Sequence, residues 1–317
     1  MNKIKIGLIG VGNMGKRHAR VYSEISDVDL VSLVDTDEET IKELSQKYEK
    51  SKVYSDYHEM LEKEKLDAVS ICVPTSLHYS VAKECIKNGL HVLLEKPITS
   101  TVSEGQELLK LASSKKVKFL VGHIERFNPA VKKTKEMIEN GDLGNVIAIS
   151  IKRVGGFPFK ITDSNIVVDS AIHDIDIVNY LLGRLPVNVY IHKQKNIIKM
   201  EDSCELFLDY GVCSAYIQAN WITPIKIRKL SITGTKGYLE LDYISQGLVF
   251  YKSNVSDIKD GNSFSEYRSL SEPHEKIIPL ALKEPLKEEI KYFLDCIKND
   301  KNIDSDFAVQ ALKIALT

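Results

Sequence analysis

The chain has 317 residues, 43% of them hydrophobic, and a formal net charge of −1. At roughly 100–200 residues per domain there is room for two domains with sizeable cores. The near-zero charge gives no basic surface for nucleic acid. No apolar run approaches the roughly 20 residues of a membrane-spanning helix. The five cysteines, Cys72, Cys85, Cys204, Cys213 and Cys296, include no Cys-x-x-Cys pair, and Cys72 sits inside an apolar strand pattern. Reduced, mostly buried thiols in a cytoplasmic protein are expected. The segment Met1–Ile6 runs directly into a strand pattern and shows no signal-peptide signature.

The first 122 residues alternate strand and helix signals. Short apolar runs at Lys3–Ile9, Leu30–Asp35, Ala68–Val73, His91–Glu95 and Lys118–Val121 have the character of buried parallel strands. Between them lie helical patterns at Met14–Ser23, Asp37–Tyr48 and His78–Asn88, the last ended by Gly89. Thr101 and Glu104 have capping-box spacing ahead of a further helix. This alternation predicts a doubly wound sheet. After residue 123 the pattern changes. Helices are expected at Asn128–Glu139 and Ile166–Leu182, with a half-buried strand at Val146–Val154 between them. From Pro186 to Tyr251 strand-like runs dominate (Val187–His192, Cys204–Tyr210, Cys213–Asn220, Arg228–Thr233, Tyr238–Tyr243), with tight turns at Tyr210-Gly211 and Gly234–Gly237. A mostly antiparallel sheet follows from these turns. Residues 252–276 are polar and loop-like, and helices are expected at Leu286–Asn299 and Asp304–Leu316.

Gly10-x-Gly12-x-x-Gly15 follows a strand and opens a helix, the context of a dinucleotide fingerprint. Gly10 permits the turn, Gly12 lets backbone N–H groups approach a pyrophosphate, and Gly15 lets helix and strand pack. Asn13 and Met14 share that turn. Asp35, twenty residues after Gly15, ends the second strand, where a carboxylate accepts from ribose hydroxyls and repels a 2′-phosphate. NAD is therefore expected in preference to NADP. Pro74, Thr75 and His78 close the next strand and are expected to face the cofactor crevice. Their alternative is an ordinary helix first turn.

Lys96 follows the apolar run His91–Glu95 directly and precedes Pro97. Ligands of such sheets bind outside the carboxyl ends of the strands. Lys96, held by Glu95, is thus a candidate to act on a substrate hydroxyl beside the nicotinamide. The bland alternative is a lysine reaching solvent beside a proline turn. The Lys96–Pro97 bond is also the place where a cis peptide is most plausible. Further on, Asp169 and His173 lie four residues apart, on one face of a helix, and Asp176 is placed to orient the imidazole. The set suits proton removal from an alcohol. It is a poor zinc site, so no metal is expected.

The glycine-rich turn Gly10–Gly15, the Glu95-Lys96-Pro97 run and the Asp169/His173 pair together resemble the Gfo/Idh/MocA oxidoreductases, a family that includes glucose–fructose oxidoreductase and inositol dehydrogenases. The similarity runs over nearly the whole chain. It implies an N-terminal Rossmann domain, 1–122, that binds NAD. It also implies a C-terminal α+β domain, 123–317, whose large, mostly antiparallel open sheet serves substrate binding and assembly into a homodimer or homotetramer. The last helix is then free to pack back on the first domain. Lys96, Asp169 and His173 would frame the reacting carbinol, with the choice of base between Lys96 and His173 left open. A narrower similarity lies in Gly122–Pro129 and His173–Asp176, which look like the UDP-N-acetylglucosamine 3-dehydrogenases of this family. That likeness implies a nucleotide-sugar substrate, with Arg126 and Arg153 as candidate substrate contacts. The rival substrate is myo-inositol or a free sugar. A non-catalytic cofactor-binding regulator is the third reading, and the intact Lys96, Asp169 and His173 set counts against it.

Overall fold

The computed structural model describes residues 3–157, 164–252 and 274–317. Contacts divide the chain into two units, Met1–Ile124 with Leu286–Lys313, and Glu125–Pro285 with Ile314–Thr317. The first break falls two residues beyond the expected one. The contacts place 286–313, which the expected division gave to 123–317 with its last helix free to pack back, in the first unit.

The first unit contains β1 (Ile4–Ile9), β2 (Val28–Val34), β3 (Lys52–Tyr54), β4 (Ala68–Ile71), β5 (His91–Glu95) and β6 (Phe119–Gly122). All six pair in parallel, in the order β3-β2-β1-β4-β5-β6. The chain winds outward from β1 and then returns to its other side, so the strand order reverses between β1 and β4. Buried residues fill consecutive positions of β4 and most of β5, because a parallel sheet is covered on both faces. Helices α1 (Asn13–Glu24), α2 (Glu38–Lys47), α3 (Tyr57–Lys63), α4 (Thr75–Lys87) and α5 (Val102–Lys115) connect the strands. Local chemistry fixes their starts. Asp37 accepts from the Thr40 N–H at 2.7 Å, and both bonds of the Thr101/Glu104 capping box form. β3 and α3 were not legible as separate elements. β3 is three residues long, with only Tyr54 buried.

The second unit contains α6 (Pro129–Glu139), β7 (Val146–Val154), α7 (Ile172–Leu182), β8 (Asn188–Gln194), β9 (Ser203–Asp209), β10 (Ser214–Asn220), β11 (Ile227–Gly234), β12 (Gly237–Asp242), β13 (Gly247–Lys252) and β14 (His274–Ile277). Its sheet runs β14-β13-β12-β11-β7-β10-β9-β8. Every neighbouring pair is antiparallel except β7 with β10. Period-two alternation buries Ile149, Ile151, Leu206, Ile217 and Ile232 on one face. On the other face Tyr190, Phe207 and Tyr216 stand opposite one another across three strands, 62%, 45% and 42% exposed. Within the expected loop 252–276, His274–Ile277 forms an edge strand, and residues 253–273 lie outside those described. The two last helices, α8 (Pro285–Lys298) and α9 (Asp306–Ala315), match the expected pair. No helix among the described residues is long and apolar enough to cross a membrane.

Candidate active site

In the first unit the three glycines have three different reasons. Gly10 has φ +83°, and a Cβ there would meet the Cys72 carbonyl at 2.8 Å. A Cβ on Gly15 would lie 2.0 Å from the Gly10 oxygen. At Gly12 a Cβ would meet nothing within 4 Å. The protein itself therefore does not require glycine at position 12. What the missing Cβ leaves is open space at the start of α1, a helix with no side-chain cap and no acidic residue in its first turn. Asn13 and Met14 are the first residues of that helix. Free N–H groups, the positive end of the helix dipole and an uncluttered approach are what a pyrophosphate needs. Asp35 pins the turn from the other side. It accepts from the Val11 N–H at 2.7 Å and from the Asp37 N–H at 3.0 Å. This donor set fits a dinucleotide.

At the carboxyl end of β4, Pro74 precedes α4 and Thr75 begins it. His78 departs from expectation. Its ring is buried, with Nδ1 2.7 Å from the Pro97 carbonyl oxygen and Nε2 3.0 Å from that of Val73. Burial pushes its pKa down, against the pull of the two carbonyls. His78 thus ties the Lys96-Pro97 corner to the end of β4 rather than facing a cofactor. The Lys96–Pro97 bond is cis. Lys96 itself is half-buried at the mouth of β5.

Behind Lys96 lies a polar cluster. Glu95 Oε1 is 3.0 Å from His18 Nε2, and Glu95 Oε2 accepts from the Lys96 N–H at 3.3 Å. His18 Nδ1 is 3.4 Å from Ser70 Oγ, which shares a 2.6 Å hydrogen bond with Tyr22 OH. The polar ends of His18, Cys72 and Glu95 all lie within 4.8 Å of one another. Burial opposes the Glu95 charge, but His18 and Lys96 outweigh it and hold its pKa below the ordinary carboxylate value. Gly122, at the end of β6, leaves room for this carboxylate, since a Cβ there would sit 3.3 Å from Glu95 Oε1. His18, Ser70 and Tyr22 gave no separate signal in the sequence. They are an ordinary helix and strand residues until the fold gathers them.

In the second unit, Asn165 accepts from the N–H groups of Val167 and Val168 and starts a wide helical turn, Val167–Ala171, that leads into α7. Such wide turns often mark functional sites. Asp169 is on it and His173 is one turn later. Both are half-exposed, while Ile166, Val167, Ser170, Ala171 and Ile172 are buried. Ser170 Oγ donates to Asp169 Oδ2 at 2.9 Å, and Trp221 Nε1–H donates to Ser170 Oγ at 3.3 Å. The charge of Asp169 also acts on Arg228 of β11, which the sequence reading passed over.

Asp176 is engaged by Arg126. Both its oxygens accept from that guanidinium, at 2.7 Å each. Arg126 also lies over the Tyr180 ring, 4.9 Å from its centre. Arg153 is 4% exposed, and its guanidinium donates to Asp174 at 2.7 and 2.8 Å and to Glu125 at 3.3 Å. Burial works against the Arg153 charge, and the two carboxylates more than compensate, holding its pKa above the ordinary value. Neither arginine is thus presented as a free phosphate ligand. They fasten α7, the helix on which His173 stands.

Residues 4–123 match the model of the oxidoreductase family GFO_IDH_MocA, NAD-binding Rossmann fold. Residues 131–240 match the GFO/IDH/MocA C-terminal domain. The chain belongs to the Gfo/Idh/MocA oxidoreductase family. It is 24% identical to a UDP-N-acetylglucosamine 3-dehydrogenase of Acidithiobacillus ferrooxidans over 96% of this chain and 92% of that one. The structure of that relative superposes with a TM-score of 0.85, covering 100% and 96% of the two chains. An NAD-binding oxidoreductase of Klebsiella pneumoniae, 21% identical, gives 0.84 over 99% and 95%. A myo-inositol 2-dehydrogenase of Thermotoga maritima is 31% identical, but over 57% of this chain and 55% of its own.

Proposed function

We propose that this oxidoreductase uses NAD to oxidise a secondary hydroxyl of a nucleotide sugar, the 3-hydroxyl of UDP-N-acetylglucosamine, to a ketone. The observation that carries the reading is the pair Asp169 and His173, half-exposed on a mostly buried helical segment that two arginine–carboxylate clamps hold in place. Half-exposed ionisable groups on a rigid element are what proton transfer at a bound alcohol requires. Similarity to the Acidithiobacillus enzyme over nearly the full length of both chains supports the substrate.

The glycine turn, the α1 N-terminus and Asp35 would hold NAD, with Pro74 and Thr75 beside it. When bound, NAD supplies the acceptor for the carbinol hydrogen. The work of the chain is to manage the hydroxyl proton. Lys96, fixed by Glu95 and by the His78–Pro97 contact, and His173, carried on α7, are the two groups suited to take it. Asp169 orients or polarises that pair. Two copies would meet through the open face of the eight-stranded sheet, where the Tyr190, Phe207 and Tyr216 row leaves apolar surface in water.

A second reading, oxidation of a free polyol, is favoured by the higher identity to the myo-inositol enzyme over the stretch it shares. Absorbance of reduced nicotinamide separates the two. NAD would be supplied with UDP-N-acetylglucosamine, myo-inositol or glucose in parallel, and a carbonyl trap would draw the oxidation forward. Signal with the nucleotide sugar alone is expected. Signal with myo-inositol alone would transfer the same residues to the second reading.

A further inference from the structure

Helix α8 returns from the end of the sequence to the first unit and carries Glu289 into its interior. The side chain is 0% exposed, and neither carboxyl oxygen has a hydrogen-bond partner among the described residues. A buried carboxylate without a partner is among the costliest groups a fold can hold. The groups with which it interacts electrostatically are Glu95 of β5, Cys72 after β4 and Tyr22 of α1. Behind Glu95 stand His18 and Lys96.

Two buried carboxyl groups that act on each other do not both ionise unless a nearby cation offsets the second charge. The geometry decides which one keeps the proton. Glu95 has the His18 ring at 3.0 Å, the Lys96 N–H at 3.3 Å and the Lys96 charge beside it. Glu289 has none of these. Glu95 is therefore the anion and Glu289 the neutral acid, and burial followed by the Glu95 charge pushes the Glu289 pKa well up. The thiol of Cys72 is also pushed up, chiefly by burial, and so carries no competing charge.

The location gives this proton a use. Cys72 and Glu95 stand at the carboxyl ends of adjacent strands, next to the reversal of strand order between β1 and β4, where a dinucleotide binds in such sheets. The inference rests on the NAD reading above. The nicotinamide ring of NAD+ carries a positive charge that NADH lacks. We propose that Glu289 is a buried proton carrier whose charge follows that of the cofactor, protonated in the free protein and with NADH, ionised with NAD+. On NAD+ binding the Glu289 O–H bond breaks, the electron pair stays on the carboxylate and one proton leaves to solvent. Nothing is oxidised in that step. When the ring becomes neutral, the carboxylate takes one proton back, which matches the proton that the substrate hydroxyl gives up.

The test is calorimetric titration of the whole chain with NAD+ and with NADH, in buffers of different ionisation enthalpy at neutral pH. The buffer dependence counts protons released. About one is expected with NAD+ and close to none with NADH, and the wild-type affinity for NAD+ is expected to rise about tenfold per pH unit. In Glu289→Gln the release falls towards zero, and the pH dependence flattens while NAD+ still binds. Glu289→Met serves as the second variant should the glutamine form fold poorly. Equal proton counts for the two cofactors, or undiminished release in either variant, would overturn the proposal and leave the NAD reading intact. Failure of NAD+ to bind at all would overturn both.

Discussion

Arg153 and Asp174 meet as a two-pronged ion pair, 2.7 and 2.8 Å at the two contacts, with both side chains buried. Asp174 directly follows His173, so the pair holds the helix that presents the imidazole. Removing Asp174 leaves the buried Arg153 with only the longer contact to Glu125, which costs up to about 3–5 kcal/mol. Asp174→Ala is accordingly expected to lower the unfolding midpoint by many degrees, and Asp174→Asn by less. A thermal melt of Asp174→Ala that overlays the wild type would contradict this role.

The glycines separate cofactor binding from folding. Gly15→Ala places a Cβ 2.0 Å from the Gly10 oxygen, so it should destabilise the protein itself. Gly12→Val meets nothing at its Cβ and should fold with a normal melting curve. It should nevertheless lose most of its NAD affinity, because the side chain enters the space read here as the pyrophosphate cradle. Fluorescence titration with NADH alongside thermal melts checks both. Normal NADH binding by Gly12→Val would move the cofactor elsewhere.

Asp35→Ala removes a carboxylate that already takes two backbone N–H groups. Loss of charged hydrogen bonds of roughly 1.5–3 kcal/mol corresponds to about tenfold to a hundredfold weaker NAD binding. NADP should not weaken in parallel, since the repulsion of its 2′-phosphate is relieved. Equal loss for both cofactors would assign Asp35 to the turn alone.

The folded pKa of Glu289 lies well above the ordinary 4.5. Stability that depends on the neutral acid is complete below that ordinary value and is lost as the pH rises through the folded pKa. Glu289→Gln cannot ionise, so the stability difference should shift steadily in the variant's favour as the pH rises. Urea melts across the pH range measure it. A difference that does not change with pH would mean that Glu289 is not held neutral by the fold.

Much of this was legible in the sequence where a local rule has one outcome. Apolar runs broken by helix caps gave β1, β4 and β5, and the capping box at Thr101 formed as its spacing predicts. The glycine spacing located the turn, although only the packing distinguishes Gly12 from Gly10 and Gly15. What was not legible depends on partners far apart in the chain. Asp176 sits three residues after His173 at helical spacing, and its bond to Arg126, fifty residues away, had no signal in the sequence. Alternation alone does not place Arg153 at the end of the strand pattern, and its destination is Asp174 on another element. His78 looked like a polar residue at the end of a crevice until the Pro97 carbonyl took its ring. Glu289 lies at helical spacing from Leu286 and Phe293 and beside Ile290, on the apolar stripe of α8, but what that stripe packs against shows only in the return of the helix to the first unit.

Lys96 is read here as acting on the substrate hydroxyl while NAD is held by other groups. The most direct test is Lys96→Met, with turnover of UDP-N-acetylglucosamine and NADH affinity measured on the same preparation. Loss of a positioned proton-transfer group predicts a fall in turnover of at least about 10²–10⁴-fold with NADH affinity near that of the wild type. Turnover that persists in Lys96→Met would contradict the account.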